Sequence, residues 1–313
     1  MEKVELMLSK STDPEDLHDP FWANYWMEPK LDGMRAAVLK VGNEVTIYGR
    51  SWIEYQDHVP HLVEAFKAIP LDFHLDGELC YINGFGKVEN FPDLSVPIVD
   101  FNRTMRVMGS NPDVAVEKQI ENGYISFVAF DTIEMNVTYE NRAIDLNNLP
   151  ELTQSRFIHR IPVFDDWTPI LYNQLVELGC EGAMLKNRHS FYKSGRPNKT
   201  MYKIKKEETY DVVVYEAYEG TGKHTGRLGG LKFGAYLPDG QFKKVGRAGG
   251  GFNDEQRQYI WDNKDSILGK VMEIKCNETV GSGEYRTPRH PQFITWRYDK
   301  KAEECLMEQF KSD

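Results

Sequence analysis

Segments with strand character recur through the first two thirds of the chain: YWMEPK, MRAAVLKV, EVTIYGR, FHLDGELCYI, YISFVAFDTI and EGAMLKN. Each is short and mixes β-branched or aromatic residues with polar ones, the pattern of a strand with one buried face. Asp-Gly or Gly-Asn turn signals separate several of them, so antiparallel pairing is expected rather than a parallel sheet. Helical patterning is sparser. Its best instance starts at Thr168, an N-cap with Pro169 in the first helical position, runs through ILYNQLVEL and stops at Gly179. That helix delivers the chain directly into EGAMLKN.

Beyond KIKKEE the pattern changes. Short strands YDVVVYEAY, KFGAYL, QFKKVGR and KVMEIKCNE alternate with glycine-rich turns, and one helix is expected near NDEQRQYIWDNKDSIL. This is the element set of a small barrel of about 100 residues, such as an OB-fold. The chain therefore reads as an α+β protein of two domains. Mainly antiparallel sheets with helices occupy residues 1–207, and a C-terminal OB-fold β-barrel occupies residues 208–313. Two domains also suit the length, because a single core seldom grows past about 250 to 300 residues.

Composition adds little until charge is placed along the chain. At 41% hydrophobic and 27% charged it is ordinary globular usage. Runs approaching the roughly 20 apolar residues of a membrane span are lacking, and the charged opening MEKVELMLSKSTDPEDLHDP has no signal-peptide core. A cytoplasmic protein without membrane contact is expected, in the host cytoplasm if the chain is viral. Cys80, Cys180, Cys276 and Cys305 have no metal or disulfide spacing and read as free thiols. The net charge of -10 works against a polyanionic partner, yet its distribution reverses that inference. Residues 51–100 hold nine Asp/Glu, two Lys and no Arg, whereas Lys186 to Lys206 hold eight Lys/Arg and no carboxylate. A further six basic residues lie between Lys223 and Arg247, against Asp239 alone. Two basic runs flanking one junction point to a phosphate-binding surface.

The chemistry begins at Lys30-Leu31-Asp32-Gly33-Met34-Arg35. Taken locally, this is a hairpin with an Asp-Gly turn. A match to K-x-D-G-x-R arises by chance in only roughly two chains per thousand of this length on equal residue usage, which draws attention to the lysine. An attacking lysine must be neutral, and with a reference pKa of about 10.4 it rarely is. Burial and nearby cations lower that pKa, and apolar surroundings for Lys30 would act in this direction.

K-x-D-G-x-R resembles motif I of the covalent nucleotidyltransferases: ATP-dependent DNA ligases, RNA ligases and mRNA capping enzymes, whose lysine accepts a nucleotide as a phosphoramidate. Further segments resemble the later motifs in family order. Arg50 in Y-G-R-S is like the arginine that contacts the nucleotide or nick phosphate. Leu75-Asp76-Gly77-Glu78-Leu79 resembles motif III, whose glutamate holds ribose or helps organise metal. Phe127-Val128-Ala129-Phe130-Asp131 resembles motif IIIa, which implies that Phe130 stacks on the purine. Glu181-Gly182-Ala183-Met184-Leu185-Lys186 resembles motif IV, with Glu181 as a metal-binding carboxylate. Met201-Tyr202-Lys203-Ile204-Lys205 resembles motif V, whose lysines bracket the α-phosphate, and Arg297-Tyr298-Asp299-Lys300 resembles motif VI, which orients pyrophosphate.

The resemblance thus implies a nucleotidyltransferase (adenylation) domain followed by the OB-fold, with ATP and Mg²⁺ as cofactors and AMP carried on Lys30. Implied catalytic residues are Lys30, Asp32, Lys203, Lys205 and Arg297. Implied cofactor contacts are Glu28, Lys30, Arg35, Arg50, Glu78, Phe130, Glu181, Lys203 and Lys205, with Glu78 and Glu181 at metal. The C-terminal segments resemble those of small viral and bacteriophage DNA ligases, which implies sealing of nicks in double-stranded DNA by a monomer. The stretch between Tyr215 and Gly251 is short for the latch loop of some of these enzymes. The modules of NAD-dependent ligases are not found in the sequence, so ATP is the implied donor. Three alternatives stand beside this reading: an RNA ligase, a GTP-dependent capping guanylyltransferase, and a noncatalytic protein that binds nicks.

Overall fold

The computed structural model describes residues 2–149, 152, 155–195, 200–281 and 283–311. Its contacts divide the chain into two compact units, Met1–Lys205 and Lys206–Asp313.

Among the described residues the first unit contains ten strands: β1 (Lys10–Ser11), β2 (Tyr25–Lys30), β3 (Met34–Val41), β4 (Glu44–Gly49), β5 (Phe73–Val88), β6 (Phe91–Asp100), β7 (Ser126–Thr132), β8 (Ile158–Arg160), β9 (Gly182–Asn187) and β10 (Met201–Lys205). Helices α1 (Pro60–Lys67), α2 (Phe101–Met108), α3 (Pro112–Asn122), α4 (Tyr139–Asn147) and α5 (Pro169–Glu177) accompany them. One sheet has the order β1-β10-β9-β2; the other has the order β4-β3-β5-β7-β8, with β6 also paired to β5. The β1–β10 and β7–β8 pairs are parallel and the remaining pairs in these sheets antiparallel.

Each sheet has its own core. Alternation along β3, β5 and β7 turns Ala36, Val38, Leu75, Leu79 and Phe127 to one face. There they pack with Leu62 and Phe66 of α1, Val107 and Met108 of α2, and Ala115 of α3. The other sheet buries Met27, Ala183, Leu185 and Ile204 against Leu171, Tyr172 and Leu175 of α5. These separate cores correct the hairpin expected at Asp32-Gly33. Strand β2 pairs with β9 and strand β3 with β4 and β5, so the turn carries the chain from one sheet to the other.

The second unit contains β11 (Glu208–Glu219), β12 (Leu228–Tyr236), β13 (Phe242–Ala248), β14 (Val271–Cys276), β15 (Glu278–Val280), β16 (Thr287–Arg289) and β17 (Gln292–Trp296), with helix α6 (Asp254–Asp262). Asn253 caps α6 in a capping box with Gln256. Five strands pair antiparallel in the order β13-β12-β11-β14-β17, and β15 pairs with β16 separately. Among the described residues β13 and β17 are the two ends of this order and do not pair as strands, so the closed barrel expected is not found. A single parallel bridge from Gly250, just past β13, to Gln292 of β17, with Phe293 N–H donating to the Gly250 carbonyl at 3.0 Å, joins the two ends. Val212, Val214, Phe233, Met272, Ile274 and Phe293 form its core with Ile260 of α6. All four cysteines are free and buried. Among the described residues no helix is long and apolar enough to cross a membrane.

Candidate active site

Strand register brings the motif lysines together. Lys30, the last residue of β2, lies opposite Gly182 at the start of β9, and Gly182 lies opposite Lys205 at the end of β10. Glu181, immediately before β9, is therefore flanked by two amines: Lys30 Nζ donates to its Oε2, and Lys205 Nζ pairs with its Oε1. The backbone holds it there too, since Glu181 N–H donates to the Lys30 carbonyl at 2.9 Å. Only glycine fits next to it. Gly182 has φ +145°, and a Cβ there would lie 1.9 Å from the Ile204 carbonyl oxygen.

Charge explains the behaviour of this cluster. Burial alone would raise the Glu181 carboxyl, but Lys30 and Lys205 outweigh it and hold the group below its ordinary value. Lys203 lies two residues before Lys205, on the same strand face, while Ile204 between them is buried. Burial, then the charges of Lys205 and Lys30, depress the Lys203 pKa, and the exposed Arg50 just past β4 adds to the effect. The sequence suggests apolar surroundings for Lys30; the structure gives it a carboxylate partner instead, with the side chain 20% exposed. An ammonium so paired has no free lone pair. Attack requires that the pair part and the amine lose a proton.

The opposite side of the site comes from the second sheet. Arg35 lies beside Glu78 in the β3–β5 register, and the chain passes close over Glu78 because residue 33 is glycine: a Cβ there would lie 2.7 Å from Glu78 Cγ. Asp32 is half-buried in this same turn. Desolvation pushes the Glu78 carboxyl up to about 8, with Lys30 and Arg35 opposing that rise and Asp76 and Glu181 adding to it. Arg35 grips Asp76 through Nε at 3.0 Å and Nη2 at 2.6 Å. Its guanidinium also lies 5.5 Å from the ring centroid of half-buried Phe130.

Behind Phe130 is a buried ionic network that sequence reasoning missed. Lys186, 2% exposed, pairs with Glu28 at 2.8 Å and donates to the Phe130 carbonyl at 2.9 Å, its ammonium 4.8 Å from the Phe130 ring. Asp131 takes a bidentate pair from Arg142 at 2.6 and 3.1 Å, and the Tyr139 hydroxyl donates to Glu28. Desolvation raises the Glu28 carboxyl in spite of Lys186. The side chain of Glu28, expected at the cofactor, is thus committed to Lys186 and Tyr139. Lys186, counted within a surface basic run, is interior; Arg188 of that run pairs with Glu140, and Arg196 and Lys199 lie outside the described residues. Nothing local to K186 signals burial except its place at the end of the apolar GAML.

Arg297 belongs to the second unit. Its Nε and Nη2 hold Asp299 at 3.0 and 2.8 Å, and Nη1 meets both oxygens of Asp211 at 3.1 Å; Lys300 joins Asp211 at 2.8 Å. On β13, Lys243, Lys244 and Arg247 are exposed.

The donor chemistry suits a hard cation. Among the described residues no group of three or more His, Cys, Asp or Glu side chains could hold a metal. Mg²⁺ does not need one, since it keeps waters and substrate phosphates and takes one or two carboxylates. Glu181, ionised and partly accessible, fits that role; Glu78, with its carboxyl near 8, carries a proton at neutral pH and fits it less well.

Comparison with known proteins bears on this geometry. Residues 6–205 match the family model described as ATP dependent DNA ligase domain. A protein of Streptomyces coelicolor named "Probable DNA ligase" is 30% identical over 288 residues, covering 87% of this chain and 54% of its own length. The chain spans about half the length of the curated relatives it matches. Among solved structures, Pmar-Lig_PreS3 superposes with TM-score 0.73 at 20% identity, covering 94% of this chain and 67% of its own. A structure from work on Lig E DNA ligases superposes with TM-score 0.66 at 24% identity, covering 93% and 98%. Both share the fold.

Proposed function

The chain belongs to the ATP-dependent DNA ligase domain family, and on that premise we propose that it is an ATP-dependent DNA ligase that seals nicks through a lysyl-AMP intermediate. The observation that carries the proposal is that Lys30 and Lys205 both close on Glu181, with Lys203 in the field of those two amines and Glu78 in the field of Lys30 and Glu181. These residues come from strands of two sheets, and their ion pairs make a site that is cationic but has one exchangeable carboxylate.

In the first step Lys30 Nζ forms a bond to the α-phosphorus of ATP while the bond from that phosphorus to the bridging oxygen breaks. Pyrophosphate leaves and the amine's proton is lost to water. Negative charge on the phosphate oxygens is met by Lys203 and Lys205, so catalysis rests on positioning and electrostatics. Mg²⁺ held at Glu181 would supply further positive charge to those oxygens. Phe130 offers a flat wall for the purine, and Arg35 and Glu78 line the same region. Arg297 acts on pyrophosphate. AMP then passes to the 5′-phosphate of the nick, and the 3′-hydroxyl displaces it. The second unit is an OB-fold in this reading, its exposed Lys243, Lys244 and Arg247 meeting the duplex backbone. The protein acts as a cytoplasmic monomer, to which four buried free thiols are suited. The likeness to viral and bacteriophage enzymes rests on the C-terminal segments.

The test is incubation with α-labelled ATP or GTP and magnesium, followed by a chase with nicked duplex DNA or nicked RNA. Label on the protein from ATP, then on DNA, supports the proposal. Label from GTP alone would favour the capping reading, a chase by RNA alone the RNA ligase, and the absence of label a noncatalytic binder.

A further inference from the structure

Behind the nucleotide-facing residues lies a support whose outer members, Tyr192 and Met7, fall in none of the motifs. Asp76, in β5, is 1% exposed, and three donors converge on its carboxylate: Arg35 Nε on Oδ1, Arg35 Nη2 on Oδ2, and the Tyr192 hydroxyl on Oδ2 at 2.7 Å. Tyr192 is equally interior at 2% exposed. Its oxygen also accepts the backbone N–H of Met7 at 3.1 Å. Leu6 and Met7 are buried with Ala37, Tyr48, Ile133, Tyr192 and Met201. Neighbouring bonds fix the same segment: Val4 N–H donates to the Tyr48 hydroxyl at 3.1 Å, Leu8 N–H to the Gly195 carbonyl at 2.6 Å, and β1 pairs with β10.

The phenol thus has two fixed ends, a backbone donor from an anchored segment and a buried carboxylate. A bidentate fork on its own can rock about the carboxylate; a third donor at Oδ2 removes that freedom. Arg35 spends Nε and Nη2 on Asp76, and its side chain remains 16% exposed beside Phe130.

We propose that Tyr192 is a positioning residue for the nucleotide: braced by Met7, it fixes Asp76, and Asp76 sets Arg35 against the Phe130 ring so that Nη1 meets the bound adenosine. This rests on the reading above that Phe130 and Arg35 hold ATP. Tyr192 touches neither substrate nor the reacting atoms. Its effect is on affinity, transmitted through Arg35.

A double-mutant cycle tests the relay. The Kd for ATP is measured by equilibrium titration for wild type, Tyr192→Phe, Arg35→Lys and the double variant, alongside lysyl-AMP formation and thermal unfolding. Tyr192→Phe removes one hydrogen bond to a charged group, and Kd rises about tenfold while the rate of lysyl-AMP formation at saturating ATP stays within about twofold. In the Arg35→Lys background the same substitution adds nothing, because the fork it steadies is gone. An unchanged Kd overturns the proposal, as does the same penalty in both backgrounds, or a fall in Tm with Kd held. If wild type binds ATP without forming lysyl-AMP, the ligase reading fails while the Kd cycle still decides the relay; no ATP binding by wild type overturns both.

Discussion

Replacing Glu78 by Gln should remove a pH dependence of stability built into the site. In the folded chain this carboxyl is pushed up to about 8 by desolvation, against an ordinary value of 4.5. Between those values the folded protein holds a proton that the unfolded chain has released, so stability falls as pH rises across the window. The loss is complete only once pH exceeds the folded value. Its ceiling is roughly 5 kcal/mol, less whatever solvent screening at this half-buried position removes. Glutamine copies the shape and hydrogen bonding of the neutral acid but cannot ionise. Urea unfolding of both proteins at half-unit intervals from pH 5 to pH 8.5 measures the gap, and groups other than Glu78 cancel in the difference. The variant should approach wild type near pH 5 and exceed it by about 2 to 4 kcal/mol at pH 8. A gap independent of pH would refute the reasoning, because desolvation of Glu78 would then not be its source.

Two other perturbations probe the framework and the surface. Gly182→Ala should destabilise the chain by about 3 kcal/mol or more, since the position combines positive φ with a contact that no Cβ can make; an unchanged thermal midpoint would show that β9 and β10 are not held this closely. Replacing Lys243, Lys244 and Arg247 with Ala should weaken nicked-duplex binding and flatten its dependence on log salt by about 2 to 3 in slope while leaving lysyl-AMP formation intact. An unaltered slope would place the duplex elsewhere.

Local patterning reached some elements and not others for physical reasons. YWMEPK and MRAAVLKV coincide with β2 and β3 because alternate residues face their cores, and the helix after Thr168 was legible because Pro169 starts it and Gly179, at φ +89°, follows its end. Helices α1 to α4 went unread. Helix α1 has eight residues, buries Leu62 and Phe66 on one face, and begins after Val59, which offers no capping side chain. Helix α3 buries just Ala115 and Gln119, too little to produce a period. Pairing partners also lie beyond local reach: the Asp32-Gly33 turn reads as a hairpin, yet Met27 and Val38 on either side belong to different cores.

The candidate site divides in the same way. Lys30, Glu181, Lys203 and Lys205 could be named from motif order, but the pairing of Lys30 and Lys205 with the Glu181 carboxylate follows from the register of β2, β9 and β10, which joins residues up to 175 apart. Buried polar commitments were the least legible. Lys186 looks like one more cation in a basic run until its low exposure and its Glu28 partner are seen, and Tyr192 carries no sequence signal that its hydroxyl is shared between Met7 and Asp76.

The account depends on covalent chemistry at one amine. The most direct measurement is peptide mapping by mass spectrometry after incubation with ATP and magnesium, for wild type and Lys30→Ala in parallel. An AMP adduct on Lys30 that is released by nicked duplex and absent from the variant is the predicted result. An adduct on another residue, or one that persists in Lys30→Ala, would contradict it.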